Sequence, residues 1–107
     1  MTRIEAIIKA EDAYMLTADG HAGADRNEQD HDLVCAAISA IIQTLAISCA
    51  QIDEVSTVYH TSAGHATVCV TNYDELEGEI QARFRMALDG LEALQRQYPQ
   101  HVSVTII

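Results

Sequence analysis

At 107 residues the chain can form one hydrophobic core but not two, so residues 1–107 are expected to fold as a single domain. Almost half of it is apolar, yet with one Phe, four Tyr and no Trp the core has to be assembled mainly from Ala, Ile, Leu and Val. Sixteen acidic against six basic residues give a net charge of -10, which repels phosphate backbones and anionic lipid surfaces; direct nucleic-acid and membrane partners are disfavoured, and the charge is first a solubility device, though it would also attract a basic peptide or protein.

The opening MTRIEAIIKAED carries charges through its apolar positions and so lacks the apolar core of a signal peptide. No later segment reads as an uninterrupted apolar run long enough to cross a bilayer, and a cytoplasmic location is expected. Residues 3–9 and 13–17 read as two short strands joined at a polar turn and closed by Asp19-Gly20, which predicts an opening β-hairpin. From about Asp32 to Ala50 the text is Ala-rich, free of Gly and Pro and too long for one strand, which predicts a largely buried helix. Residues 55–61 and 65–71, rich in Val, Thr and Tyr, flank Ser62-Ala63-Gly64 as a second hairpin.

A second helix is predicted from Asp74, with Asp74 and Glu77 at capping-box spacing and Leu76, Ile80, Phe84, Leu88, Leu91 and Leu94 as its core-facing stripe. Gly78 and Gly90 weaken it and Pro99 ends it, so packing must supply what propensity withholds. The closing HVSVTII alternates as a strand. The order ββαββαβ predicts an α+β domain of two layers, one five-stranded, largely antiparallel sheet with two helices on one face.

Three cysteines, Cys35, Cys49 and Cys69, form an odd set without CxxC spacing, which fits reduced thiols better than a disulfide framework or a structural zinc site. With Asp32 as N-cap, Cys35 falls at the third position of the first helix, where N–H groups and the helix dipole favour an anion such as a thiolate. Cys35, Ser39 and Gln43 are four apart and make a polar stripe beside the apolar positions Val34, Ile38, Ile41 and Leu45. A glycine-flanked histidine, His21, precedes the helix and is the candidate for the paired cation that would stabilise the thiolate. These residues alone leave Cys35 open between a nucleophile and a small buried hydrophobe, and His21 between a base and a surface histidine.

At these positions the sequence resembles the ribosomal-processing cysteine proteases of the Prp family. The resemblance rests on GHAG at 20–23, DLVCAAIS at 32–39 with the QTL that follows, and LEALQRQYPQHVSV at 91–104. It implies a homodimeric α+β protease, without cofactor or metal, that trims the amino-terminal extension of a basic large-subunit ribosomal protein. It implies Cys35 as nucleophile, His21 as its base, and Gly20, Asp32 and Ser39 at supporting positions. The departure from the family is the segment 24–31, ADRNEQDH, longer and more acidic than the Gly- and Tyr-containing loop expected there, which bears on substrate specificity.

Backbone N–H groups at the start of the helix, that of Cys35 included, or those of the glycine-flanked loop are candidate oxyanion donors. Two rival readings accompany the protease. One is a non-catalytic module whose acidic surface holds a basic ribosomal protein while Cys35 is merely packed. The other is a metal site from His60, His65 and Cys69 on one sheet face, although residues four apart in a strand lie about 13 Å apart and so cannot share an ion without a bulge.

Overall fold

The computed structural model describes residues 2–10, 12–20 and 29–107, without the side chains of residues 7–10 and 29–32. In chain order the elements are β1 (Thr2–Ala10), β2 (Ala13–Asp19), α1 (Gln29–Ala50), β3 (Ser56–Ser62), β4 (His65–Thr71), a 3-10 turn (Asp74–Leu76), α2 (Glu77–Gln97) and β5 (Val102–Ile106). The ββαββαβ order is as expected. One five-stranded sheet runs β3-β4-β2-β1-β5, antiparallel throughout except where β5 lies parallel to β1.

Strand alternation decides which face is covered. Ile4, Ala6, Tyr14, Leu16, Ala18, Val68, Val70 and Val102 are all buried and all even-numbered, and the registers keep even residues of β1, β2, β4 and β5 on one side of the sheet. Both helices pack on that side, α1 over β3 and β4, α2 over β5, β2 and β1. The other face carries Thr17, Thr67, Cys69 and Val58, with no helix over it among the described residues, the arrangement an antiparallel sheet tolerates when one face meets solvent.

The predicted stripe of α2 is present: Ile80, Phe84, Leu88 and Leu91 are buried, and Leu76 and Leu94 are half-buried at its two ends. Gly90 earns its place by contact, since a Cβ there would stand 3.1 Å from Ile41 Cδ1 of α1. Arg83 adds a polar tie between the helices, donating to the Ser48 carbonyl at 2.8 Å. That carbonyl lies in the last turn of α1, where four C=O groups have no intrahelical donor.

Three expectations are corrected. The helix α1 begins at Gln29, three residues before Asp32; residues 29–31 hold no Gly or Pro, and an acidic residue such as Asp30 is favoured in a first helical turn. The capping box does not form. Asp74 and Asn72 adopt left-handed φ of 43° and 58°, a 3-10 turn intervenes, and α2 starts at Glu77 with Leu76 as an N-cap that makes no side-chain bond. Glu77 instead accepts from the Tyr14 hydroxyl at 3.2 Å.

Third, the stretch Leu33–Ala50 is long and apolar enough to cross a bilayer by length and composition, with a mean hydropathy of 2.1, because its polar positions are uncharged. In this fold it covers the sheet, burying Val34, Ile38, Ile42, Leu45, Ala46 and Cys49.

Candidate active site

The side of α1 that carries Cys35 is set by the residues it has to bury. With Val34, Ile38, Ile42 and Leu45 pressed on the sheet, the next direction around the helix is the i, i+4 row of Cys35, Ser39 and Gln43, continued by Ile47. This row faces the β3 side of the molecule. It forms one wall of an open cleft of about 580 Å³, whose other wall is Tyr59, Thr61 and Ser62 of β3, with Gly64 of the turn and Ala18 and Gly20 at the end of β2. The polar stripe foreseen in the sequence is therefore a cleft wall. Cys35 is half-buried and Ser39 is exposed one turn further on.

Gly20 lines the same cleft as Cys35. Its N–H donates to the Gly64 carbonyl at 2.8 Å, and its φ of 105° is a conformation that a residue with a Cβ rarely takes. Asp19, one residue earlier, pairs with His65, Oδ1 to Nδ1 at 2.5 Å, and the Nε2 of that ring lies 2.9 Å from Thr67 Oγ1. This cluster braces the strand ends beneath the cleft mouth. The pleat places the Asp19, His65 and Thr67 side chains on the uncovered sheet face, opposite the helices, so the imidazole of His65 is on the wrong side to serve the Cys35 sulfur although the residue borders the cleft.

His21 lies outside the described residues. Asp32 is a residue of α1 rather than its N-cap, which moves Cys35 to six residues past Gln29, about 9 Å along the axis from the helix start. Two consequences correct the sequence reading. The dipole field fades within the first turn, so the helix terminus contributes little to a thiolate at Cys35. The N–H of Cys35 also falls beyond the first four N–H groups, inside the intrahelical ladder, and is not available as an oxyanion donor.

The three thiols are separated cleanly by the fold. Cys49 is fully buried in α1, where burial pushes its thiol above the usual value against smaller opposing effects of the Ser48 hydroxyl and Arg83. Cys69 belongs to the uncovered sheet face. Cys35 is the thiol that lines the cleft. Among the described residues no three His, Cys, Asp or Glu side chains come together in a way that could hold a metal ion; His60, His65 and Cys69 do share a face, as the register predicts, but His65 is engaged by Asp19 and Thr67.

Sequence reasoning missed Ile47, Tyr59 and Thr61 as cleft residues. Ile47 was within reach, being the next step of the Cys35 row; Tyr59 and Thr61 were not, because their place depends on β3 being the edge strand beside that row.

A family model described as cysteine protease Prp matches residues 1–103. Comparison with curated proteins gives no match. Among solved structures, the chain is similar to an essential ribosomal processing protease Prp from S. aureus in complex with a substrate peptide, with a TM-score of 0.77 at 20% identity, covering all of both chains. The same S. aureus protease with a covalently linked product peptide superposes with a TM-score of 0.79 at 20% identity, again over both whole chains. SMU.848 from Streptococcus mutans gives 0.73 at 23% identity, covering 100% of this chain and 94% of the other. At such identities the structural likeness speaks for the fold.

Proposed function

Because the chain belongs to the Prp family of cysteine proteases, we propose that it is an endopeptidase that removes the amino-terminal extension of a basic large-subunit ribosomal protein, with Cys35 as nucleophile and His21 as its base. The observation that carries this reading is the placement of the thiols: of three cysteines, Cys35 alone is half-buried on the wall of a cleft open to a polypeptide. The structurally similar S. aureus protease binds a substrate peptide and a covalently linked product peptide. The net charge of -10 suits a basic substrate.

In the proposed reaction the Cys35 thiolate attacks the scissile carbonyl carbon, the C–N bond of the tetrahedral intermediate breaks, and the imidazolium of His21 gives its proton to the departing amine. Water, deprotonated by the same imidazole, then attacks the thioester, releasing the new carboxylate and regenerating the thiol pair. Since the helix start does little for Cys35, the imidazole is assigned most of the thiolate's stabilisation. His21 follows Gly20 directly in the chain, and Gly20 is on the cleft rim. Ser39 one turn beyond Cys35, Gly20 at the rim and Asp32 on the same helix are assigned supporting roles, in a homodimeric enzyme of the cytoplasm.

Incubation of the full chain with a synthetic peptide carrying the extension of a basic large-subunit ribosomal protein is expected to give one defined cut. The cut should vanish in Cys35→Ala and His21→Ala and persist in Cys49→Ala and Cys69→Ala. Tight binding without any cut by the unmodified chain would instead support the acidic binding module, and light scattering reports the oligomer.

A further inference from the structure

The outer edge of β3 runs along the cleft and is unpaired among the described residues. Exposed edges are usually blunted by Pro, Lys, a bulge or shortness. The β3 sequence STVYHTS has no proline, lysine or acidic residue, spans seven residues, and pairs with β4 without a register shift. Its unshielded edge therefore needs an explanation in terms of what lies against it.

The register also says which backbone groups are on offer. Ser62 and His65 pair across the two-residue turn Ala63-Gly64, so this pair, and by alternation His60 with Thr67 and Val58 with Cys69, exchanges hydrogen bonds within the hairpin. The N–H and C=O groups of Thr57, Tyr59 and Thr61 are left pointing outward. Their side chains lie on the helix side of the sheet, and those of Tyr59 and Thr61 line the cleft. The facing wall runs from Cys35 to Ile47, about 18 Å of helix, which equals roughly five residues of extended chain. Ile47, at the end of that row remote from the sulfur, and Tyr59 on the β3 wall are exposed apolar side chains, at 58% and 41% relative exposure.

We propose that the substrate binds as an added strand on the β3 edge, hydrogen-bonded to the backbone of Tyr59 and Thr61, with an apolar side chain about five residues from the scissile bond held between Ile47 and Tyr59. The inference rests on the protease reading, which supplies the occupant: a peptide whose scissile bond is at Cys35 continues along this cleft. Strand addition gives affinity through main-chain bonds that are indifferent to sequence, and the row on α1 supplies the sequence filter.

The test uses a library of peptides from digested bacterial ribosomal proteins, incubated with the full chain and analysed by mass spectrometry. Aligned cuts should show constraint over a continuous run on one side of the bond, ending in an apolar preference about five residues away. In the best-cut peptide, N-methylation of alternate residues in that run should lower kcat/KM about fivefold or more each, with the intervening positions changed less than about twofold. Ile47→Glu should lose the preference at the far position while cutting the same bond.

Cuts that depend on Cys35 but tolerate N-methylation at every position overturn strand addition, and a far preference kept in Ile47→Glu overturns the seat between Ile47 and Tyr59; both leave the protease reading intact. Absence of any Cys35-dependent cut removes both.

Discussion

Replacing Gly78 and Gly90 by alanine, one at a time, makes the same covalent change twice in α2 and should give different results. Glycine costs a helix interior about 1 kcal/mol relative to alanine, and less in the first turn. A Cβ at Gly78 meets nothing within 4 Å, so Gly78→Ala is expected to stabilise by about 0.5–1 kcal/mol, a rise in melting temperature of roughly 2 to 6 °C for a domain of this size.

At Gly90 the same Cβ would stand 3.1 Å from Ile41 Cδ1 and 3.7 Å from Cγ1. Ile41 has to leave its rotamer or the helices must part, at a cost of about 0.5–1.5 kcal/mol, which cancels the propensity gain. Gly90→Ala should therefore melt within about 2 °C of the parent. Ile41→Val removes the obstructing methyl, and combining it with Gly90→Ala should recover about 0.5–1 kcal/mol beyond the sum of the single changes. The cycle is read from urea midpoints at constant m-value. Additivity within about 0.3 kcal/mol would refute the claim that a close α1–α2 approach fixes glycine at position 90.

Alkylation by iodoacetamide at neutral pH should modify Cys35 first and leave Cys49 unmodified in the native chain, as mapped by mass spectrometry; labelling of Cys49 at a comparable rate would contradict its burial. Because burial raises the Cys49 thiol, the folded state holds that proton more tightly than the unfolded chain. The resulting stability is whole below the ordinary value of 9.0 and is lost as pH climbs through the raised folded value, so urea midpoints should fall above about pH 9 by more than they do in Cys49→Ala. Arg83→Ala removes both the bond to the Ser48 carbonyl and the 3.0 Å pair with Glu79, and should cost about 1–2 kcal/mol by chemical denaturation. Arg83→Lys should recover only part of this, since one ammonium replaces a fork that reaches both partners.

How much of this was legible in the text depends on how local each feature is. Alternation in β2 and β4 and the 3.6-residue stripe Ile80, Phe84, Leu88 and Leu91 are written into neighbouring residues, since each position's partner on the same face is two, three or four places away. The same arithmetic found the row Cys35, Ser39 and Gln43. Helix starts were harder: Asp32 and Asp74 both have good capping chemistry, but α1 already includes Asp32, and the chain passes Asp74 in a left-handed conformation because a 3-10 turn precedes α2.

The sequence by itself determined the element order, the core-facing stripe of α2 and the stripe on which Cys35 stands, because those follow from periodicities that the backbone imposes over a few residues. Only the tertiary structure decided that β3 is an edge, that the Cys35 row meets Tyr59 and Thr61 across a cleft, that His65 turns to the opposite face, and that the apolar Leu33–Ala50 stretch covers a sheet. Those outcomes depend on which distant strands pair and in what register. A single residue of slip would exchange the two faces of the sheet, and the energy that selects the register comes from burying all of them together.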